Sequence, residues 1–565
     1  MKIGLALACF VLSCVFPATA GARAAQRVEP TDPRSWAPID PARLSSITRT
    51  LASDAFEGRG PGTAGEDKAV AYLTEQFRRL GLVPGGPDGH WTETVPLIHT
   101  QIDPAGKASI AVAGGTFALA FPADLYLNTV RETDRARIAE APIVFVGYGV
   151  AAPERGWDDF KGVDLKGKIA LFLVNDPDFE ASAGEPAYGR FGGRAMTYYG
   201  RWTYKYEEAA RRGAIGAIIV HESDGAGYGW NTVKAPGGEN YNIRLRPGAR
   251  QPVLLQGWMQ RPVAVDLFRR AGLDFESAKR QARTPGFRPI DLKATFSADF
   301  GVKTVQVESH NVLARIPGRR HPDETIMFAG HWDAYGLGTP DARGKTIRRG
   351  AADDALGLAG VLEIARAFKA GPPPDRTIVF AAWTAEERGL LGSEYDSANP
   401  IYPMEKMVAN ITIDTPQTAG PSRDVILIGK GQSDLEARMA RLAALQGRTI
   451  TPDAHPERGL FYRADHFSAA RRGVPVLLLM ALGGGPDLVA GGREAGDRWV
   501  SDFTARCYHQ TCDEWRPDWD LRGAAQDVAL AYRVGRELAF SRDWPRLSAS
   551  SEFRPVREKS EAARR

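Results

Sequence analysis

Five short stretches of the chain carry acids and imidazoles of the types and spacing that suit metal-assisted hydrolysis. "AGHWDAYG" offers His331 and Asp333, "RGAADDALG" offers Asp353 and Asp354, and "WTAEERGLLGS" offers Glu386 and Glu387. "NITIDTP" offers Asp414, and "CYHQTCDE" offers Tyr508 and His509. One His or Asp after a strand is ordinarily a turn or cap residue, and paired acids at a helix start suit the helix dipole. Five such sites in one segment are harder to attribute to capping. Imidazole nitrogen and carboxylate oxygen are donors that zinc takes, and a catalytic zinc keeps one position open for water. Two His and three carboxylates can hold two ions if one carboxylate bridges them, and paired ions clamp both the attacking and the developing oxygens. One further carboxylate, not a ligand, is then needed to take the proton from water. The adjacent Glu386 and Glu387 divide these tasks naturally: one binds metal and its neighbour stays free as general base.

The elements that must position these groups are legible around them. "RTIVFAAW" (Arg376 to Trp383) reads as a strand buried on both faces, and it ends just before the paired glutamates. "ETIMFAGH", "VILIGK" and "VPVLLLM" read as further strands, and "GLAGVLEIARAFKAG" and "AAQDVALAYRVGRELAF" as helices. Strand–helix alternation predicts a mostly parallel sheet covered on both faces, with ligands at the carboxyl ends of the strands. Upstream, "EDKAVAYLTEQFRRLGL" keeps Ala69, Val70, Leu73, Phe77 and Leu80 at helical spacing. Between them, from about Gly106 to Asp299, strand-like runs such as "APIVFVGYGV" and "LKGKIALFLV" alternate with glycines, which predicts a separate α+β module.

The chain has 565 residues, of which 43% are apolar, so two or more folded units are expected. Lys and Arg (72) nearly balance Asp and Glu (68), for a net charge of +4, which makes no case for nucleic acid. No apolar run after the N-terminus reaches the length that spans a bilayer. "MKIGLALACFVLSCVFPATAGARA" reads as a secretory leader cleaved near Ala20 or Ala24, implying a periplasmic or secreted protein. A lipoprotein anchor at Cys14 is the alternative, although "FVLS" before it fits a lipobox poorly. Cys9 and Cys14 leave with such a leader, so Cys507 and Cys512 remain and can form a disulfide in an oxidising compartment. Two free thiols, or thiols on metal, are the alternatives.

The ordered set HxD, GAxDxAxG, EExGLxGS, a strand-end Asp, and YH followed by an acid resembles the M28 metallopeptidases, the co-catalytic zinc aminopeptidases and their glutamate carboxypeptidase relatives. "LASDAFEGRGPGTAGE" is similar to the opening segment of secreted bacterial members. "GYGVAA", "DLKGKIALFLVNDP" and "AARRGAIGAIIV" are similar to a protease-associated (PA) domain, which many M28 enzymes carry as an insertion. The resemblance implies an α/β zinc exopeptidase fold with a mostly parallel central sheet flanked by helices and an inserted α+β PA domain. The implied boundaries are a leader at 1–24, a first part of the peptidase domain at 40–105, the insertion at 106–299, the peptidase domain at 300–545 and a solvated tail at 546–565.

Carried over by motif, the resemblance implies two zinc ions. His331 and Asp414 would hold one, Glu387 and His509 the other, and Asp353 would bridge them. Glu386 would be the general base, Tyr508 would steady the oxyanion, and Asp333 would orient His331. The peptide bond from Asp353 to Asp354 would be cis. The family's usual Asn after the bridging Asp is Asp354 here, the usual Ser of "NASG" is Leu356, and Ala334 stands where many members have His. "RADHFSAARRGVPVLLLM" resembles a family segment that would put Asp465 and His466 near the pocket rim; a hydrogen-bonded structural His466 is the plain alternative.

The implied activity is removal of N-terminal residues from peptides. A carboxypeptidase or dipeptidase acting on acidic C-terminal residues is the second reading, and it needs an Arg-lined pocket, for which Arg348, Arg349, Arg471 and Arg472 are candidates. A receptor-like binding protein would have lost ligands, whereas the set here is complete. Oligomeric state is left open by the sequence.

Overall fold

The computed structural model describes Met1 and residues 37–564. The expected leader, with Cys9 and Cys14, lies outside the described residues. Four strands form the parallel heart of the sheet. His321–His331 lies between Arg376–Trp383 and Met407–Ile413, and Val476–Leu479 follows beyond Met407–Ile413. Every residue of Arg376–Trp383 and Met407–Ile413 is buried, as expected for strands covered on both faces. The helices Pro41–Leu51, Ala64–Arg79, Leu356–Lys369 and Arg522–Ala539 pack on one face, and the segments around Tyr402–Met407 and Leu460–Met480 pack on the other.

Local chemistry accounts for these elements. The helix Ala64–Arg79 starts at Thr63, whose hydroxyl accepts from the Gly65 N–H; it carries Glu66 and Asp67 in its first turn and Arg78 and Arg79 in its last, which suits both ends of the dipole. Ala69, Leu73 and Phe77 are fully buried along one side. The Phe77 ring lies 6.2 Å from Phe380, and Phe380 also meets Phe328 and Phe368 at 6.0 and 6.4 Å. The helix Arg522–Ala539 comes close enough to this cluster that a Cβ at Gly535 would sit 2.2 Å from the Phe328 ring. Only glycine permits that approach.

The segment 106–299 has its own apolar core on both faces of its strands. There Arg135–Phe145, Ile169–Leu173, Gly216–His221 and Leu255–Gln260 run parallel in that order. A single strand of 27 residues, Ile290–Ile316, joins this sheet to the other. Its first half pairs with Lys107–Val112 and Arg135–Phe145, and its last residues pair antiparallel with Arg376–Trp383. Among the described residues one sheet of 15 strands results. No described helix is long and apolar enough to cross a membrane.

Two expectations are corrected. "VILIGK" does not extend the central sheet: Asp424–Leu427 pairs only with Thr449–Pro452 in a separate two-stranded sheet. Nor is the described part of the expected tail, 546–564, solvated throughout. Phe553 and Arg557 are buried, the latter because its guanidinium donates to the carbonyls of Met404 and Met407. The charged letters of "REKSEAARR" conceal that docking, since a guanidinium can be buried on carbonyl oxygens as well as solvated.

Candidate metal centre

The parallel strands deliver their carboxyl ends to one edge. His331 ends its strand and pairs in register with Trp383, so the turn carrying Glu386 and Glu387 starts beside it. Asp414 directly follows Met407–Ile413 on the other side. Asp353 arrives from an irregular turn, Ala351–Ala355, that opens the helix Leu356–Lys369; the Asp353–Asp354 bond is cis. His509 comes from the loop after the helix Gly492–Arg506, with a left-handed backbone (φ 64°). The disulfide Cys507–Cys512, with Cα atoms 5.0 Å apart, closes that loop.

These residues converge into two groups that share one member. Ligand atoms of His331, Asp353 and Asp414 all lie within 4.8 Å of one another, as do those of Asp353, Glu387 and His509. The His331 Nε2 is 3.2 Å from Asp353 Oδ1, and the His509 Nε2 is 3.3 Å from Asp353 Oδ2 and 3.1 Å from Glu387 Oε2. The second of these contacts is not aligned for a hydrogen bond, so the buried Asp353 Oδ2 has no donor within the protein. A buried carboxylate oxygen left without a donor is costly, and a cation is the partner that this nitrogen and oxygen set fits. The donor types are those of zinc.

Electrostatics point the same way. Burial raises the carboxyls of Glu386 and Asp354 well above the usual range and lifts Asp414 to about 7, with Asp353 as its next cause. Burial would also raise Asp353, but His331 and His509 beside it hold it below the usual range. Burial draws His509 down, yet Glu387 and Asp353 outweigh it and raise the imidazole to about 9. So many acids in one buried place favour positive charge among them.

The supporting contacts are specific. The His331 Nδ1 lies 3.0 Å from the main-chain carbonyl of Asp333, whereas the Asp333 carboxylate is 3.6 Å away. That carboxylate accepts instead from the N–H groups of Glu386 (3.0 Å) and Glu387 (3.3 Å). Asp333 thus steadies both the imidazole and the glutamate turn. Asp354 accepts from the N–H groups of His331, Gly357 and Thr415, tying the two flanking loops together. Glu386 is 9% exposed and keeps its carboxylate 3.9 Å from His331. The Tyr508 ring lies 3.6 Å from the His509 ring.

His466 is not at a rim. It is fully buried, edge-to-face with Phe461 at 4.9 Å, with both ring nitrogens lacking a hydrogen-bond partner. Burial pulls its pKa down to about 3, so it is packed as a neutral ring. Asp465, by contrast, is within electrostatic reach of His331 and Asp414, and burial lifts it to about 7. Three residues escape sequence reasoning. Asp513 accepts from the N–H groups of Ala352 and Asp353. Arg59 is fully buried and donates to the carbonyls of Leu51, Trp332, Arg349 and Gly350. The Tyr335 hydroxyl lies 3.2 Å from His509 Nδ1. The only sequence signal was their place inside the quoted motifs "EGRGPG", "CYHQTCDE" and "GHWDAYG".

Residues 311–533 match Peptidase family M28. This segment is a peptidase family M28 domain. The match contains all five metal-ligand candidates of the M28 domain, together with Glu386 and Tyr508. A stretch of 83 residues is 42% identical to a probable zinc metalloprotease of Pyrenophora teres f. teres (strain 0-1), covering 15% of this chain and 17% of that protein. A probable zinc metalloprotease of Pyrenophora tritici-repentis (strain Pt-1C-BFP) is 41% identical over 83 residues, 15% of this chain and 18% of its own length. The chain thus spans less than a fifth of the length of these curated relatives. Among solved structures, an aminopeptidase from Aneurinibacillus sp. strain AM-1 is similar over 89% of this chain and 95% of its own, with 18% identity and a TM-score of 0.48. A zinc aminopeptidase from Bacillus subtilis is similar over 89% and 96%, with 18% identity and a TM-score of 0.43.

Proposed function

We propose that the chain is a di-zinc exopeptidase that removes N-terminal residues from peptides. The observation that carries this reading is Asp353, whose two carboxylate oxygens face different imidazoles, His331 and His509, so that one residue belongs to both ligand groups. His331, Asp353 and Asp414 would hold one ion, and Asp353, Glu387 and His509 the other. When bound, zinc polarises a scissile carbonyl and makes water a better nucleophile at neutral pH.

The chain's own residues do the rest. Glu386 stands beside the ligand Glu387 on a turn fixed by Asp333 and engages no donor with its carboxylate, so it is placed to take a proton from water and return it to the leaving amine. Tyr508, packed against His509, is placed to donate to the oxygen on which charge develops. The acids around the cluster favour a free α-ammonium on the substrate. The inserted segment 106–299 serves as a PA-type module beside this site, and the leader with the Cys507–Cys512 bridge suits a periplasmic or secreted enzyme.

The second reading, a carboxypeptidase or dipeptidase, asked for arginines at the site. Three of its four candidates are engaged elsewhere: Arg349 pairs with Asp54, Arg471 with Glu207 and Glu394, and Arg472 with Glu394, while the Arg348 guanidinium lies close to Gly338. A panel of aminoacyl-nitroanilides and N-blocked dipeptides, assayed on zinc-loaded enzyme, tests the choice. Cleavage confined to free-amine substrates supports the aminopeptidase; cleavage confined to N-blocked peptides with a free carboxylate overturns it.

A further inference from the structure

His509 reaches the metal centre from a loop rather than from a strand end, and its ring depends on neighbours outside that loop for its direction. Its Nε2 faces Asp353 Oδ2 at 3.3 Å and Glu387 Oε2 at 3.1 Å. A ligand nitrogen offers its lone pair, which leaves the ring proton on the other nitrogen, Nδ1. The Tyr335 hydroxyl lies 3.2 Å from that Nδ1, and its oxygen can accept from it. The Tyr335 and His509 ring centroids are 4.8 Å apart. His331 has a different partner at the same position, the main-chain carbonyl of Asp333.

The Tyr335 ring is in turn held from the inserted segment. Arg388, directly after Glu387 in the chain, places its guanidinium carbon 4.8 Å from the centre of the Tyr335 ring and 4.9 Å from the centre of the Tyr241 ring. Its side chain is 16% exposed, and its buried Nε has no hydrogen-bond partner. Two ring faces, with one contact of 3.5 Å from Arg388 to Glu239 Oε2, flank this cation. The ring quadrupole attracts a guanidinium over its face, and the planar group stacks there better than an ammonium. Tyr241 and Glu239 lie on the strand Glu239–Ile243, which pairs antiparallel with Thr92–Ile102. There Tyr241 is opposite His99; their rings stack at 4.5 Å, and the His99 Nε2 lies 2.8 Å from Glu239 Oε1. A continuous line of contacts therefore runs from Tyr241 through Arg388 and Tyr335 to the His509 imidazole.

We propose that Tyr335 is a positioning residue for His509, and that Tyr241 of the inserted segment holds Tyr335 in place through Arg388. This rests on the two-zinc reading and deepens it: the ion at Asp353, Glu387 and His509 depends on the inserted segment, whereas the ion at His331, Asp353 and Asp414 does not.

Zinc affinity at each site, read on the full chain by competition with a chelator, and the visible spectrum of the cobalt-loaded protein test this. Tyr335→Phe removes only the hydroxyl. It is expected to weaken one ion by about 10–100-fold, to change the cobalt spectrum, and to leave the other ion and the melting temperature of the metal-free chain unchanged. Tyr241→Leu and Arg388→Gln should weaken the same ion by a smaller factor, while Tyr241→Phe, which keeps the ring, and Arg388→Lys, which keeps the charge, should restore all or part of it. Unchanged affinity for both ions in Tyr335→Phe, or equal weakening of both, overturns the proposal; unchanged affinity in both Tyr241→Leu and Arg388→Gln overturns the role of the inserted segment. Nitrogen NMR of the histidine-labelled, metal-free chain reads the contact directly: a His509 Nδ1 signal that moves in Tyr335→Phe supports the proposal, and one that stays overturns it. If the wild type binds fewer than two zinc ions, the two-zinc reading fails, and the nitrogen signal alone decides whether Tyr335 positions His509.

Discussion

Asp333 and Glu386 are joined by a hydrogen bond from the Glu386 N–H to Asp333 Oδ1 at 3.0 Å, across 53 positions of sequence. The carbonyl of the same Asp333 lies 3.0 Å from His331 Nδ1. One residue therefore sets the orientation of a proposed metal-ligand imidazole and the position of the proposed base. Asp333→Asn keeps the shape but turns one carboxylate oxygen into a donor facing an N–H group. The expected outcome is a loss of about 10–100-fold in zinc affinity or kcat/KM, read by zinc titration and steady-state kinetics, with the melting temperature little changed.

Gly357 is predicted to be irreplaceable even by alanine. Its N–H donates to Asp354 Oδ1, and an added Cβ would lie 2.1 Å from that oxygen. Asp354 also accepts from His331 and Thr415, so displacing it disturbs both flanking loops. Gly357→Ala should destabilise the chain by about 1–3 kcal/mol or more, the usual cost of overpacking, measured by urea unfolding. An unchanged midpoint would contradict the packing described.

His310 supplies a pH-dependent contribution away from the metal centre. Its Nδ1 lies 3.0 Å from Glu66 Oε1, and that contact, against the opposing effect of burial, raises the imidazole above its ordinary value. A raised folded-state pKa contributes stability that is fully present below the unfolded value, about 6.5. That contribution is lost as pH rises through the folded value. The gap in melting temperature between wild type and His310→Gln should therefore be larger at pH 5.5 than at pH 8.5. A gap independent of pH would contradict it.

The Cys507–Cys512 bridge closes a loop with a sequence separation of 5. Loop-closure entropy grows with loop length, so Cys507→Ser with Cys512→Ser should cost less than the ~3 kcal/mol of a 15-residue loop. Its effect should be local, as weaker zinc retention at the His509 group. Zinc content after dialysis, set beside the melting temperature, checks this; a large fall in melting temperature with zinc retained would contradict it.

The ligand candidates were legible because each sits at the end of an element with its own periodic signature. The all-apolar run Arg376–Trp383 points to Glu386 and Glu387, and "NITI" points to Asp414. What holds those ligands in place was not legible. Arg59 reaches Gly350 across 291 positions, and Asp513 reaches Asp353 across 160. Such contacts leave no trace in hydropathy or spacing, because a buried polar side chain looks like a surface one until its partner is placed. For the same reason the quiet docking of Arg557 reads in sequence as a solvated tail. The strand Ile290–Ile316 was also hidden, since its polar middle reads as a connection although both halves belong to sheets.

The central claim is the division of labour between Glu386 and Glu387, and comparing their glutamine variants tests it most directly. Zinc per chain, by atomic emission, and kcat on a free-amine peptide substrate would be measured for wild type, Glu386→Gln and Glu387→Gln. The account predicts two zinc ions in wild type and in Glu386→Gln, with kcat of the latter lowered by about 10²–10⁴-fold, and a weakened second ion in Glu387→Gln. Near-normal kcat in Glu386→Gln, or loss of zinc from that variant while Glu387→Gln keeps both ions, would contradict it.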